Sequence, residues 1–170
     1  MMRPHYILLP ANPLFIAMTL LLAFLLNLLP WGQWPGVPDF VALVLVFWSI
    51  HQPRKIGIGI AFCMGLLMDV HEATLLGQNA LAYTLLSYFA IMIHRRVLWF
   101  SVSVQALHVL PLMLLTQLIQ LVIRMSVNGK FPGWLYFAES FVSMALWPLV
   151  VWLLLAPQRR AVDRDDNRPI

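Results

Sequence analysis

The chain has 170 residues, of which 61% are hydrophobic and 11% charged, against roughly 45–50% and about 25% in soluble domains. Six bilayer spans of about 20 residues use about 120 and leave some 50 for ends and loops, so a water-soluble enzyme and a sizeable extramembrane domain are both excluded. The formal net charge of +4 comes from scattered basic pairs, a pattern of cytoplasmic loops near anionic headgroups rather than of nucleic-acid binding.

Taken in chain order, the apolar runs predict six helices at 14–30, 38–51, 56–69, 75–93, 97–123 and 134–156, followed by a polar tail at 157–170. The first run follows Arg3 and His5, as a signal peptide would. Pro30, Trp31, Gly32, Gln33 and Trp34 come after it, with no small-residue pair for cleavage, so it reads as a retained span. The second run is the shortest and can be a span or a re-entrant segment. Pro111 is expected to kink the fifth, and Pro148 lies in the sixth. Cys63 is the single cysteine and sits in an apolar run, which excludes a disulfide framework.

The basic residues test the number of spans. With six spans and both termini in the cytoplasm, Arg3, Arg54, Lys55, Arg95, Arg96, Arg159, Arg160, Arg164 and Arg168 share one side, and Arg124 and Lys130 the other. That is nine against two, as the positive-inside rule requires. The best five-span arrangement gives eight against three. Trp31, Trp34, Trp99 and Trp134 fall where an interfacial belt would hold them.

Chemistry-bearing residues are few. Gly57, Ala61, Gly65 and Asp69 recur every fourth residue and share one helix face. Such a face admits close helix approach in lipid, either within this bundle or against a partner. Asp69, His71 and Glu72 cluster as metal ligands do. However, His71-Glu72-Ala73-Thr74-Leu75 lacks the second histidine of a zinc-protease helix, and the alternative is a hydrated loop in which Asp69 caps the next helix. Gln105, His108, Thr116, Gln117, Gln120 and Arg124 form a polar stripe that should face the bundle interior or another protein. Glu139, a turn into the sixth run, is placed to pair with Arg124 or Lys130. No phosphate loop, nucleophile elbow or Cys-x-x-Cys is present. No catalytic, metal or cofactor residue is therefore assigned.

An ordered set of short motifs completes the reading. Pro38-Asp39-Phe40 is followed by Phe47-Trp48-Ser49-Ile50, Pro53-Arg54-Lys55 and Gly57-Ile58-Gly59. Met64-Gly65-Leu66-Leu67-Met68-Asp69-Val70, Leu75-Leu76-Gly77, Asn79-Ala80-Leu81-Ala82-Tyr83 and Leu146-Trp147-Pro148 follow. This set resembles the rod shape-determining MreD family over nearly the whole chain. The resemblance implies a non-enzymatic, multi-pass protein of the bacterial inner membrane in the machinery that elongates the lateral cell wall. Its implied partners are a bitopic MreC-like protein, MreB filaments, and the RodA glycosyltransferase with its transpeptidase. The implied fold is similar to the six-helix substrate-binding subunits of energy-coupling-factor transporters, a likeness of architecture that confers no ligand. Two rival expectations accompany the scaffold: a small-molecule transport module, which needs a polar cavity, and a membrane hydrolase, which needs His71, Glu72, His108 and Glu139 to converge.

Overall fold

The computed structural model describes residues 7–8, 11–31, 36–129 and 131–160, and within these the chain forms six α-helices. They are α1 (Pro13–Leu28), α2 (Phe40–His51), α3 (Ile58–His71), α4 (Gln78–Leu98), α5 (Val102–Asn128) and α6 (Ala138–Leu155). A 3-10 turn, Trp134–Phe137, leads into α6. Strand β1 (Ile7–Leu8) pairs antiparallel with β2 (Arg159–Arg160), so the segments before α1 and after α6 meet. Lys55 reaches the same region through a hydrogen bond to the carbonyl of Ala11.

Local sequence starts and stops these helices. Asn12 accepts a hydrogen bond from the Leu14 amide at 3.1 Å, and Pro13 follows at the first helical position, where its missing N–H costs nothing. Asp39 caps α2 through the Ala42 amide at 3.0 Å. Gly129, with φ of 63°, closes α5 in the left-handed conformation that glycine adopts without a Cβ clash. Both α5 and α6 are continuous, across Pro111 and Pro148 respectively.

Helix α2 is the axis of the bundle. It packs against α1, α4, α5 and α6, and Val41 to Phe47, Trp48, Ser49 and Ile50 are nearly all buried. Twelve residues make about 18 Å of helix, less than the hydrocarbon thickness of about 30 Å. A helix apolar on every side is one enclosed by others, which accounts for the short unbroken run in the sequence. Two internal hydrogen bonds fix its neighbours: the Trp48 indole donates to Thr19 on α1 at 2.9 Å, and Ser49 meets Ser87 on α4 at 3.2 Å.

Two stretches, Val102–Val127 and Trp134–Gln158, are long and apolar enough to cross a membrane; α1, α2 and α3 are shorter apolar helices. The tryptophans divide by role. Trp48 and Trp147 are fully enclosed, while Trp31, Trp99 and Trp134 are exposed at helix ends. Trp34 lies outside the described residues.

Candidate functional site: a polar cluster at one end of the bundle

The helices alternate in direction, so the end of α1, the start of α2, the α3–α4 connection, the end of α5 and the start of α6 gather together. Asp69 organises the α3–α4 corner. It is 1% exposed. Its Oδ1 accepts from the Asn79 amide at 2.7 Å and the Thr74 hydroxyl at 3.2 Å. Its Oδ2 accepts from the amides of Gly77 at 2.8 Å and Ala80 at 3.3 Å. One carboxylate thus satisfies the orphan amides that begin α4, and its negative charge complements the positive end of that helix. Asp69 caps the next helix, as one of the two sequence readings holds.

Gly65 sits one helical turn earlier. A Cβ built there would lie 2.3 Å from the Ala80 Cα and 2.6 Å from the Asn79 carbonyl oxygen. Ala61 is fully buried on the same face. At Gly65 this face is filled by α4, leaving no room for a partner helix. Gly57 is different: it precedes α3, is exposed, and a Cβ added to it would meet nothing within 4 Å. It stands outside the packed seam.

A second focus is Asp39. Asn27 donates to its Oδ1 at 2.8 Å and accepts from the Phe40 amide at 3.0 Å, tying α1 to the start of α2. The Tyr83 hydroxyl donates to Oδ2, and the Asp39 amide donates to Glu139 at 3.1 Å. Replacing Tyr83 with Phe is expected to cost about 1.5–3 kcal/mol, the range for a hydrogen bond to a charged group. A lowered thermal unfolding midpoint in detergent checks this; an unchanged midpoint counts against it.

The two foci are linked through α5. Gln120 donates to Asn79 at 2.7 Å, Asn79 donates to Glu72 at 3.2 Å, and Tyr136 donates to Gln120 at 3.0 Å. Gln117 donates to Glu139 at 2.9 Å and to the Tyr136 carbonyl at 3.0 Å. Glu139 therefore draws its partners from Gln117 and the Asp39 amide, whereas Arg124 stands over the Tyr136 ring at 5.8 Å. This replaces the expected Arg124 pairing; Lys130 lies outside the described residues. Glu72 keeps part of its side chain at the surface, yet desolvation raises its carboxyl above the ordinary glutamate value, and the charge of Asp39 adds to the shift.

These side chains surround a cavity of about 190 Å³ whose polar walls include Asn27, Asp39, Glu72, Asn79, Arg124 and Glu139. His71 and His108 stand away from it. His71 packs edge-on against Phe24, and His108 stacks on Phe100 near the opposite end of α5, so the hydrolase constellation does not converge. Among the described residues no group of three metal-ligating side chains forms. Within the polar stripe, Gln105, Thr116 and Gln117 are buried, while His108, Gln120 and Arg124 are half-buried.

Sequence reasoning missed Asn27 and Tyr83. Asn27 is the single amide in an otherwise apolar first run, and an isolated polar group there signals a partner deeper in the protein. Tyr83 closes the Asn79–Tyr83 motif.

Comparison with known proteins identifies the family. Residues 11–156 match the family described as rod shape-determining protein MreD. The chain is 31% identical over 147 residues to the rod shape-determining protein MreD of Haemophilus influenzae (strain ATCC 51907 / DSM 11121 / KW20 / Rd), covering 83% of this chain and 88% of that protein. No solved structure matches.

Proposed function

We propose, since this chain belongs to the rod shape-determining MreD family, that it is a non-enzymatic scaffold of the cell-elongation machinery in the bacterial inner membrane. In this reading all six helices are inserted, both termini are cytoplasmic, and the polar cluster faces the periplasm. The fold this reading assigns is that of the substrate-binding subunits of energy-coupling-factor transporters, in architecture alone. The scaffold holds the single membrane helix of an MreC-like partner, and through it supports lateral peptidoglycan synthesis by RodA and its transpeptidase alongside MreB filaments.

The observation that carries this reading is the state of the polar cluster. Its carboxylates and amides are hydrogen-bonded to one another and to helix ends. The cavity they leave, about 190 Å³, is below the roughly 300–1,000 Å³ typical of small-molecule sites; a wider, open hollow of about 730 Å³ lies beside the α3–α4 connection, lined by Thr74, Leu76, Gln78 and Arg124 among others. Polar groups spent on holding helices together favour a structural role over transport. Exposed apolar residues lie on several helices; in this reading the partner's seat is α1. Leu14, Met18, Leu21 and Leu25 are each at least 50% exposed and alternate at four- and three-residue spacing, the seam of paired helices.

The test is complementation in a rod-shaped bacterium depleted of its own protein. The parent chain is expected to restore rods. Leu21→Ala/Leu25→Ala, which alters exposed residues only, is expected to accumulate normally, capture several-fold less MreC-like partner and leave the cells round. Full complementation by the variant removes the α1 assignment. Intact rods with a nutrient-uptake defect on depletion transfer the role to transport.

A further inference from the structure

Charge is divided between the two ends of the bundle. All four carboxylates among the described residues, Asp39, Asp69, Glu72 and Glu139, belong to the polar cluster. Arg54 and Lys55, between α2 and α3, and Arg95 and Arg96, in the last turn of α4, occupy the opposite end. Arg124 is the one described cation on the acidic side.

Cations in a last helical turn complement the carbonyl end of the helix dipole. That accounts for the sign of Arg95 and Arg96 but not for Arg54, which lies in a loop. Arg54, Arg95 and Arg96 are all exposed. Lys55 is partly committed to the Ala11 carbonyl.

An aromatic marker stands beside the arginines. Trp99, immediately after α4, is 90% exposed, and exposed Phe100 follows it. An indole so uncovered at a helix end sits at headgroup level, with its ring in the interfacial layer and its N–H in contact with water. Arg96 and Arg95 lie about 4.5 and 6 Å from Trp99 along the helix axis, at 1.5 Å per residue. That sets their guanidinium groups at the depth of lipid phosphates, which they recognise with paired, charge-assisted hydrogen bonds.

We propose that the basic end formed by Arg54, Arg95 and Arg96 with Trp99 is a binding surface for the phosphate headgroups of anionic phospholipids. This rests on the membrane reading above and deepens it. The positive-inside rule fixes orientation and asks for no lasting lipid contact; this surface retains anionic lipid selectively.

Native mass spectrometry of the full chain in non-ionic detergent, with equal phosphatidylglycerol and phosphatidylcholine, tests it. The parent is expected to retain phosphatidylglycerol preferentially. Arg95→Gln/Arg96→Gln should reduce that preference about 25-fold, at about fivefold per charge removed. Arg95→Lys/Arg96→Lys keeps the charge and should keep most of the preference. Arg124→Gln, an equal charge loss at the acidic end per residue, should leave it intact. Equal retention of the two lipids by the parent overturns the proposal, as does an equal loss in the Arg124 variant. Displacement of the lipid by millimolar inorganic phosphate reassigns the surface to free anions and overturns it too. A chain that stays monodisperse without detergent overturns the membrane reading itself; a detergent-dependent chain with no lipid preference overturns only the lipid surface.

Discussion

Gly65→Ala is expected to destabilise the bundle by more than the 1–3 kcal/mol typical of an overpacked core, on the order of 4 kcal/mol. The added methyl would sit 2.3 Å from a Cα and 2.5 Å from an amide nitrogen of Ala80. Those are backbone atoms of α4, held in place by the same corner that Asp69 caps. A flexible side chain yields by changing rotamer; here α3 and α4 must move apart, which breaks the Asp69 hydrogen bonds as well. Loss of monodisperse protein in detergent, or a strongly lowered unfolding midpoint, is the expected measurement. Gly59→Ala is the matched control. It adds the same methyl on the same helix with nothing within 4 Å and should gain up to about 1 kcal/mol of helix propensity. Equal behaviour of the two variants refutes the close-approach account.

Asp69→Asn should be nearly as damaging as Asp69→Ala, each costing about 3 kcal/mol or more. An amide is isosteric with a carboxylate, so the size of the loss reports hydrogen-bond chemistry rather than packing. Each carboxylate oxygen serves at least one backbone amide: Oδ1 takes Asn79, and Oδ2 takes Gly77 and Ala80. Turning either oxygen into an NH₂ group points a donor at a donor, and a buried backbone N–H loses its acceptor. Asp69→Glu keeps the charge but displaces it by one methylene and should lie between parent and Asn in unfolding midpoint. An Asp69→Asn protein as stable as the parent sinks this reading.

The helices, their order and the polar end were legible because each rests on a local signal. Asp39 and Asp69 each end or begin an apolar run, and a carboxylate at such a boundary is a capping residue. The four-residue spacing through Gly65 marked a close approach, yet spacing alone carries no depth. It grouped Gly57 with Gly65, although α4 reaches only the latter. The pairing of Glu139 with Arg124 was drawn from proximity along the chain. The structure satisfies Glu139 from α5 and from the start of α2, contacts with sequence separations of 22 and 100 residues. Such long-range partners are set by the packing of helices around α2, which no local pattern encodes. The short second run shows the same limit: the charge count favours a span, its length also allows a re-entrant or interfacial segment, and its burial among α1, α4, α5 and α6 accounts for its unbroken apolar character.

The unequal lengths of the outer helices have a mechanical corollary for a surrounding bilayer. Helices α1 and α3 have 16 and 14 residues, while α5 has 27, or about 24, 21 and 40 Å at 1.5 Å per residue. With all six helices inserted, as proposed above, a bilayer with a hydrocarbon core of about 30 Å would meet short helices at α1 and α3 and a tall one at α5, and would adjust by thinning, thickening or helix tilt at a modest cost per ångström. In that proposed arrangement lipids beside α1 and α3 would be compressed, and a neighbouring protein whose own helices are short would relieve that compression by sitting there.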